Sequence, residues 1–145
     1  MPGVVAKFEH GPLTCAVSGT VTGGQLIEAH TGSKVRTAPA GSAKVLGVAL
    51  FDAVETDAST GTTSYGAAFV DASFPGPYVS VATCGVFKLT FAANAGFGAT
   101  LKSAASGQVT PWVSGTDAAD LIIGRCVEPA GATSAGKGLV QLYLG

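Results

Sequence analysis

The chain predicts an all-β fold, a compact β-barrel or β-sandwich of short strands with at most one short helix, and three observations carry this. Apolar and polar residues alternate with a period of two in short runs, as in Phe87-Lys88-Leu89-Thr90-Phe91, where Phe87, Leu89 and Phe91 fall on one sheet face. Glycine, proline, serine and aspartate punctuate those runs at short intervals, with 21 Gly and 7 Pro in 145 residues. Room for a helix exists only around residues 92–98, and it would be short.

Taken in order, the first strand-forming run is Val4-Val5-Ala6-Lys7-Phe8, which ends at a Gly11-Pro12 break. Residues 1–10 are therefore read either as a contact arm that leaves the body of the protein or as the first strand of its own sheet. In the first reading Val4, Val5, Phe8 and His10 are interface residues. Residues 11–145 form one β domain. Within it, strands are expected over 14–21, 25–29, 44–51, 78–82, 87–91, 109–113, 121–127 and 139–144. The runs at 44–51 and 139–144 are more continuously apolar, as suits central strands covered on both faces. Residues 52–63 and 130–138 have the composition of surface loops. Phe74-Pro75-Gly76-Pro77-Tyr78 reads as a rigid turn fixing the entry to the following strand.

An internal repeat shows when these segments are laid side by side. Leu26, Ala29, Gly32 and Val35, followed by Val45-Leu46-Gly47-Val48-Ala49, are echoed by Leu101, Ala104, Gly107 and Val109, followed by Ile122-Ile123-Gly124-Arg125-Cys126. Each copy reads as a hairpin followed by a strand. Its first Gly allows a left-handed turn, and its later Gly allows close backbone approach. Two such units suffice for a small barrel or sandwich.

Charge narrows the function. Charged residues are 12% of the chain, about half of the usual share of roughly 25%, and a partner surface that covers part of the exterior is one candidate for what keeps it content. The net charge of −1 comes from 8 basic and 9 acidic residues spread along the chain, so no cationic cluster exists to neutralise phosphates and nucleic acid is not an expected partner. The N-terminal run lacks the apolar centre of a secretory signal, and no window is apolar over the length of a membrane helix, which points to synthesis in a cytoplasm and no membrane partner. Cys15, Cys84 and Cys126 lie singly in apolar surroundings and read as reduced, buried small hydrophobes.

No catalytic constellation emerges. Gly131-Ala132-Thr133-Ser134-Ala135-Gly136-Lys137-Gly138 follows a phosphate-binding loop up to its last position, where Gly138 replaces the magnesium-ligating hydroxyl, and a strand pattern follows instead of a helix. His10 follows a strand-like arm and His30 sits in the turn Ala29-His30-Thr31-Gly32, where an exposed imidazole is the ordinary expectation, and Cys84 has no nearby base. The cysteines lack metal-ligand spacing. Asp52, Glu55, Asp57, Asp117 and Asp120 fall in loop-like segments, where solvated charges are the default. The chain is thus expected to be no enzyme and to need no cofactor or metal. Trp112, the one tryptophan, follows Pro111 and reads as core, as an interface anchor or as a sugar platform.

The pattern Gly24 to Val35, then Ala38-Pro39-Ala40-Gly41, Val45 to Ala49 and Cys84-Gly85-Val86-Phe87-Lys88-Leu89 resembles small tailed-phage capsid decoration, or cement, proteins. That resemblance implies a β-barrel or sandwich, often trimeric, on the outer surface of the virion, made in the bacterial cytoplasm. Its partners would be the major capsid protein shell and other copies of itself. Two further classes fit the composition: a tail-associated or receptor-binding β module, and a small carbohydrate-binding or hydrolytic β-sandwich.

Overall fold

In the computed structural model, which describes residues 12–55 and 76–144, the first half of the chain curls into a closed barrel. Its strands are β1 (Leu13–Val17), β3 (Leu26–Ala29), β4 (Lys34–Thr37), β5 (Val45–Ala49) and β7 (Tyr78–Ala82), in the order β1-β4-β3-β5-β7. β1 runs parallel to β4, with Val17 opposite Val35, and the other neighbours are antiparallel. A two-stranded ribbon of β2 (Thr20–Val21) and β6 (Ala53–Val54) accompanies the barrel. Inward-facing Val17, Val21, Ile27, Val35, Ala49, Val79 and Val81 form one apolar cluster. β-branched residues suit these positions, because one stiff side chain per pleat fills a narrow barrel.

The second half repeats this plan. β8 (Cys84–Thr90), β9 (Thr100–Ser103), β10 (Val109–Pro111), β11 (Gly124–Cys126) and β12 (Lys137–Tyr143) form a sheet in the order β10-β9-β11-β12-β8. A parallel bridge from Phe91 to Val109 brings its two edges together. β8 therefore stands where β1 stands in the first half, β10 where β4 stands, β9 for β3, β11 for β5 and β12 for β7. The registers agree in detail: Val17–Val35 matches Phe91–Val109, Ala16–Tyr78 matches Thr90–Lys137, and Ile27–Gly47 matches Leu101–Gly124. The repeat expected from the sequence is thus present, with two corrections. Each copy closes its own barrel-like sheet by recruiting a strand before and a strand after the matched segment. In addition, Leu101 is equivalent to Ile27 rather than to Leu26, a one-residue slip hidden by the adjacent apolar pair Leu26-Ile27.

Glycine carries the repeat where backbones crowd. A Cβ on Gly47 would lie 2.0 Å from the Ala82 carbonyl oxygen, and one on Gly124 would lie 2.1 Å from that of Gln141. Neither position admits any side chain. The hairpin tips match as well, with consecutive left-handed residues at Gly32 and Ser33 (φ 69° and 59°) and at Ser106 and Gly107 (φ 57° and 69°).

Several expected elements shift. Gly19 (φ 76°) divides the run at 14–21 into β1 and β2, and the run at 121–127 yields a 3-10 turn, Ala119–Leu121, before β11. Residues 92–98 form bends and turns rather than a helix. β12 is not covered on both faces: its burial alternates strictly, leaving Leu139 and Tyr143 exposed. β4 and β9 were not among the expected strands, because Lys34, Arg36, Thr100 and Lys102 dilute their apolar pattern. The two halves share a core, since Leu26, Ala38 and Val48 pack with Leu89, Phe91, Leu101, Ile123 and Val140.

Candidate interface

Two kinds of surface arise from this arrangement: the junction between the repeats, which is filled, and the outer sheet faces, which are open. At the junction, the β9–β10 hairpin tip of the second repeat sits on the segment after β4. Gly41 N donates to the Ser103 carbonyl oxygen at 3.0 Å, and Gly107 N donates to that of Ala38 at 3.0 Å. The fully buried Ser103 hydroxyl accepts from Ser42 N at 2.8 Å and donates to the Pro39 carbonyl at 3.0 Å. Gln25 Nε2 adds a bond to the Ser106 carbonyl. Behind Ser42 lies Glu28, a buried carboxylate on β3 that accepts from the Ser42 hydroxyl and from Arg36 Nε at 2.7 Å. Burial pushes the Glu28 carboxyl up, but the Ser42 hydroxyl and the Arg36 guanidinium, with a smaller contribution from His30, outweigh it. Its pKa lies below the ordinary carboxylate value.

The loop carboxylates act as clamps. Glu55 accepts from Lys34 and from Gly19 N, and Asp117 accepts from Lys102 Nζ at 2.6 Å and Val113 N at 2.7 Å, so both lie below their ordinary pKa through these hydrogen bonds. Asp52 accepts from Gly23 N at 2.8 Å. Asp57 lies outside the described residues.

One open face lies on β8 and β12. Their outward side chains meet as Cys84–Tyr143, Val86–Gln141, Lys88–Leu139 and Thr90–Lys137, and Val86 and Tyr143 are 55% and 49% exposed. Beyond its ladder with β12, β8 leads on to β10 through the Phe91–Val109 bridge and the bond from Ala92 N to the Val109 carbonyl. Elsewhere Phe97 stands 68% exposed beside a cleft of about 400 Å³ between residues 94–97 and 129–133. A smaller cleft of about 270 Å³ separates Thr22–Gln25 from Lys88, Lys137 and the Ser106–Gln108 turn. Among the described residues, no group of three metal-ligating side chains converges.

Of the residues singled out from sequence, Val4, Val5, Phe8 and His10 lie outside the described residues. Trp112 is half-buried, and its Nε1 donates to the Ala118 carbonyl at 2.9 Å, tying down the 113–121 loop. Cys126 is buried, as expected, but Cys15 is only half-buried and Cys84 is exposed because it falls on the outer side of β8. None of the three forms a disulfide. The phosphate-loop-like segment runs into β12, with Lys137 on its exposed face. Sequence reasoning missed Ser103 and Ser42, whose only signal was serine at positions that the repeat places beside the turn.

The described residues form a closed five-stranded barrel followed by a five-stranded, barrel-like sheet of the same plan, with large apolar side chains exposed on both. Among solved structures, the chain is similar to the N base of the head fiber protein gp8.5 of bacteriophage phi29. The TM-score is 0.58 at 14% identity, over 91% of this chain and 92% of that one. No family model matches the chain, and no curated protein matches it.

Proposed function

We propose that the chain is a structural protein of a phage head, without catalytic activity, that decorates and stabilises the outside of the capsid shell by binding the major capsid protein. The observation that carries this is the likeness to a phage head fiber base over nearly the whole of both chains. The exterior supports it: Leu50, Phe51, Tyr78, Val86, Phe97, Val113 and Tyr143 are each about half exposed or more. Such apolar exposure marks surfaces that meet partners. The same exposure, with a charged share of only 12%, favours a homo-oligomer, which we read as a trimer. Residues 1–10 are read as an arm adding to a neighbouring sheet edge, with Val5 and Phe8 filling pockets there.

The test is co-sedimentation of the purified protein with mature heads that lack it, followed by cryo-electron microscopy. Saturable binding and ordered density outside the shell are expected. Absence of binding to heads, with binding to tails or to host cells instead, would shift the assignment to a tail-associated module.

A further inference from the structure

The junction between the repeats leaves each of its two halves duplicated and unused. Its donor, the hairpin tip at 103–107, is equivalent to the tip at 29–33 of the first repeat. Its acceptor, the segment 38–42, is equivalent to 112–116 of the second. The backbones agree: Gly41 and Gly115 share a left-handed conformation (φ 66° and 80°), and Ala38 N to the Leu26 carbonyl is matched by Trp112 N to the Thr100 carbonyl, each at 2.8 Å.

In the junction, Gly41 N and Gly107 N are both bonded across to the other repeat. Their counterparts, Gly115 N and Ser33 N, have no hydrogen-bond partner among the described residues. Thr31, Gly32 and Ser33 are exposed, as are Val113 (51%), Ser114, Gly115 and Thr116. One exposed tip and one exposed loop of matching backbone shape thus lie on different repeats, with no hydrogen bond between them among the described residues.

We propose that the 29–33 tip of one copy docks on the 112–116 loop of a second copy, repeating between chains the junction found within one. Gly115 N then reaches the Ala29 carbonyl, as Gly41 N reaches that of Ser103, and Ser33 N reaches the Trp112 carbonyl, as Gly107 N reaches that of Ala38. The occupant is a second copy because the internal junction already shows this tip shape seated on this loop shape. Ala29 replaces Ser103 and Ala99 replaces Gln25, so the contact keeps the backbone bonds and loses three side-chain ones. It is accordingly weaker than the junction and reversible. It is also head-to-tail: each added copy leaves one tip and one loop open until a ring closes. The inference deepens the reading of the chain as self-associating, and it does not rest on shell binding.

The test uses two variants of the full chain at exposed positions, Thr31→Asp to block the tip and Val113→Asp to block the loop, with Ser114→Asp as a second loop variant. Mass is read by light scattering and sedimentation, and circular dichroism checks that each is folded. The wild type is expected to self-associate, and each variant alone to stay monomeric. An equimolar mixture of a tip variant with a loop variant is expected to form dimers and nothing larger, because one intact tip and one intact loop remain. A wild type that is monomeric up to about 1 mM, where a contact of roughly 4 kcal/mol would show, overturns the proposal. So does a variant that assembles as the wild type does, or a mixture that stays monomeric. No heads are present, so this contact and shell binding are read separately.

Discussion

At the scale of the residue, the strictest demands fall on Gly47 and Gly124, which occupy the same place in the two repeats. Replacing either by alanine drives a methyl into a carbonyl oxygen of the next strand, and the strands must separate. A loss on the order of 2–4 kcal/mol is expected for each, against about 1 kcal/mol for Gly24→Ala, which meets open space and bears only the strain of its φ of 87°. Urea unfolding measures all three, and equal losses would refute the steric account. Glu28 makes a different prediction. Its folded pKa is depressed, so the stability it contributes is present above its unfolded value, near 4.5, and is lost as pH falls through the folded value. Glu55 and Asp117 act in the same sense. Thermal melts from pH 7 downward should show stability declining below about pH 4.5, with a shallower decline in Glu28→Gln. An unchanged slope in that variant would remove Glu28 from the account.

At the scale of the element, the alternating runs were readable because each barrel strand buries one face; Phe87–Phe91 and 78–82 fall where the period of two places them. The repeat was readable through its glycines, since the steric need for Gly47 and Gly124 leaves a mark that survives divergence elsewhere. β4 and β9 were not readable. Their outward faces carry Lys34, Arg36 and Lys102, whose partners Glu55, Glu28 and Asp117 come from other elements, and period-two reasoning sees only the dilution. The junction escaped for a similar reason, because Ser42 and Ser103 are brought together by packing, far apart in the chain. Trp112 shows how an ambiguous residue resolves: its indole N–H anchors the loop leading to the 3-10 turn. Trp112→Phe keeps the ring and removes that bond, so a loss of about 1 kcal/mol is expected, with faster hydrogen exchange at Leu121 and Ile122. Exchange unchanged at both would mean the bond does not hold the loop.

At the scale of the whole molecule, the shared core and the hydrogen-bonded junction make the two barrels depend on each other. They should unfold in one transition, with far-ultraviolet circular dichroism and Trp112 fluorescence giving the same midpoint. Ser103→Ala leaves the buried Ser42 N without its acceptor and should cost about 1–3 kcal/mol. Two resolved transitions in the wild type would show that the repeats are energetically separate. On the proposed reading, a chain shortened by residues 2–9 is expected to stay folded and not to bind heads. A shortened chain that unfolds, or binds as before, would return this run to the domain's own sheet.

Duplication also creates a hazard during folding, because β3 and β9 are alternative mates for the same neighbours, within one chain or between crowded chains. The charges at one equivalent position tell them apart. Glu28 on β3 faces Arg36 across the ladder, whereas Lys102, its counterpart on β9, reaches Asp117. Were the strands exchanged, Lys102 would stand against Arg36 and Glu28 would approach Asp117, two like-charge contacts in place of two attractions. The inversion therefore works as an address that each strand carries to its own barrel. Glu28→Gln erases half of the address, so the yield of correctly folded protein, relative to the wild type, should fall when refolding is carried out at high protein concentration and not at high dilution. Equal recovery in both would show that register alone sorts the strands.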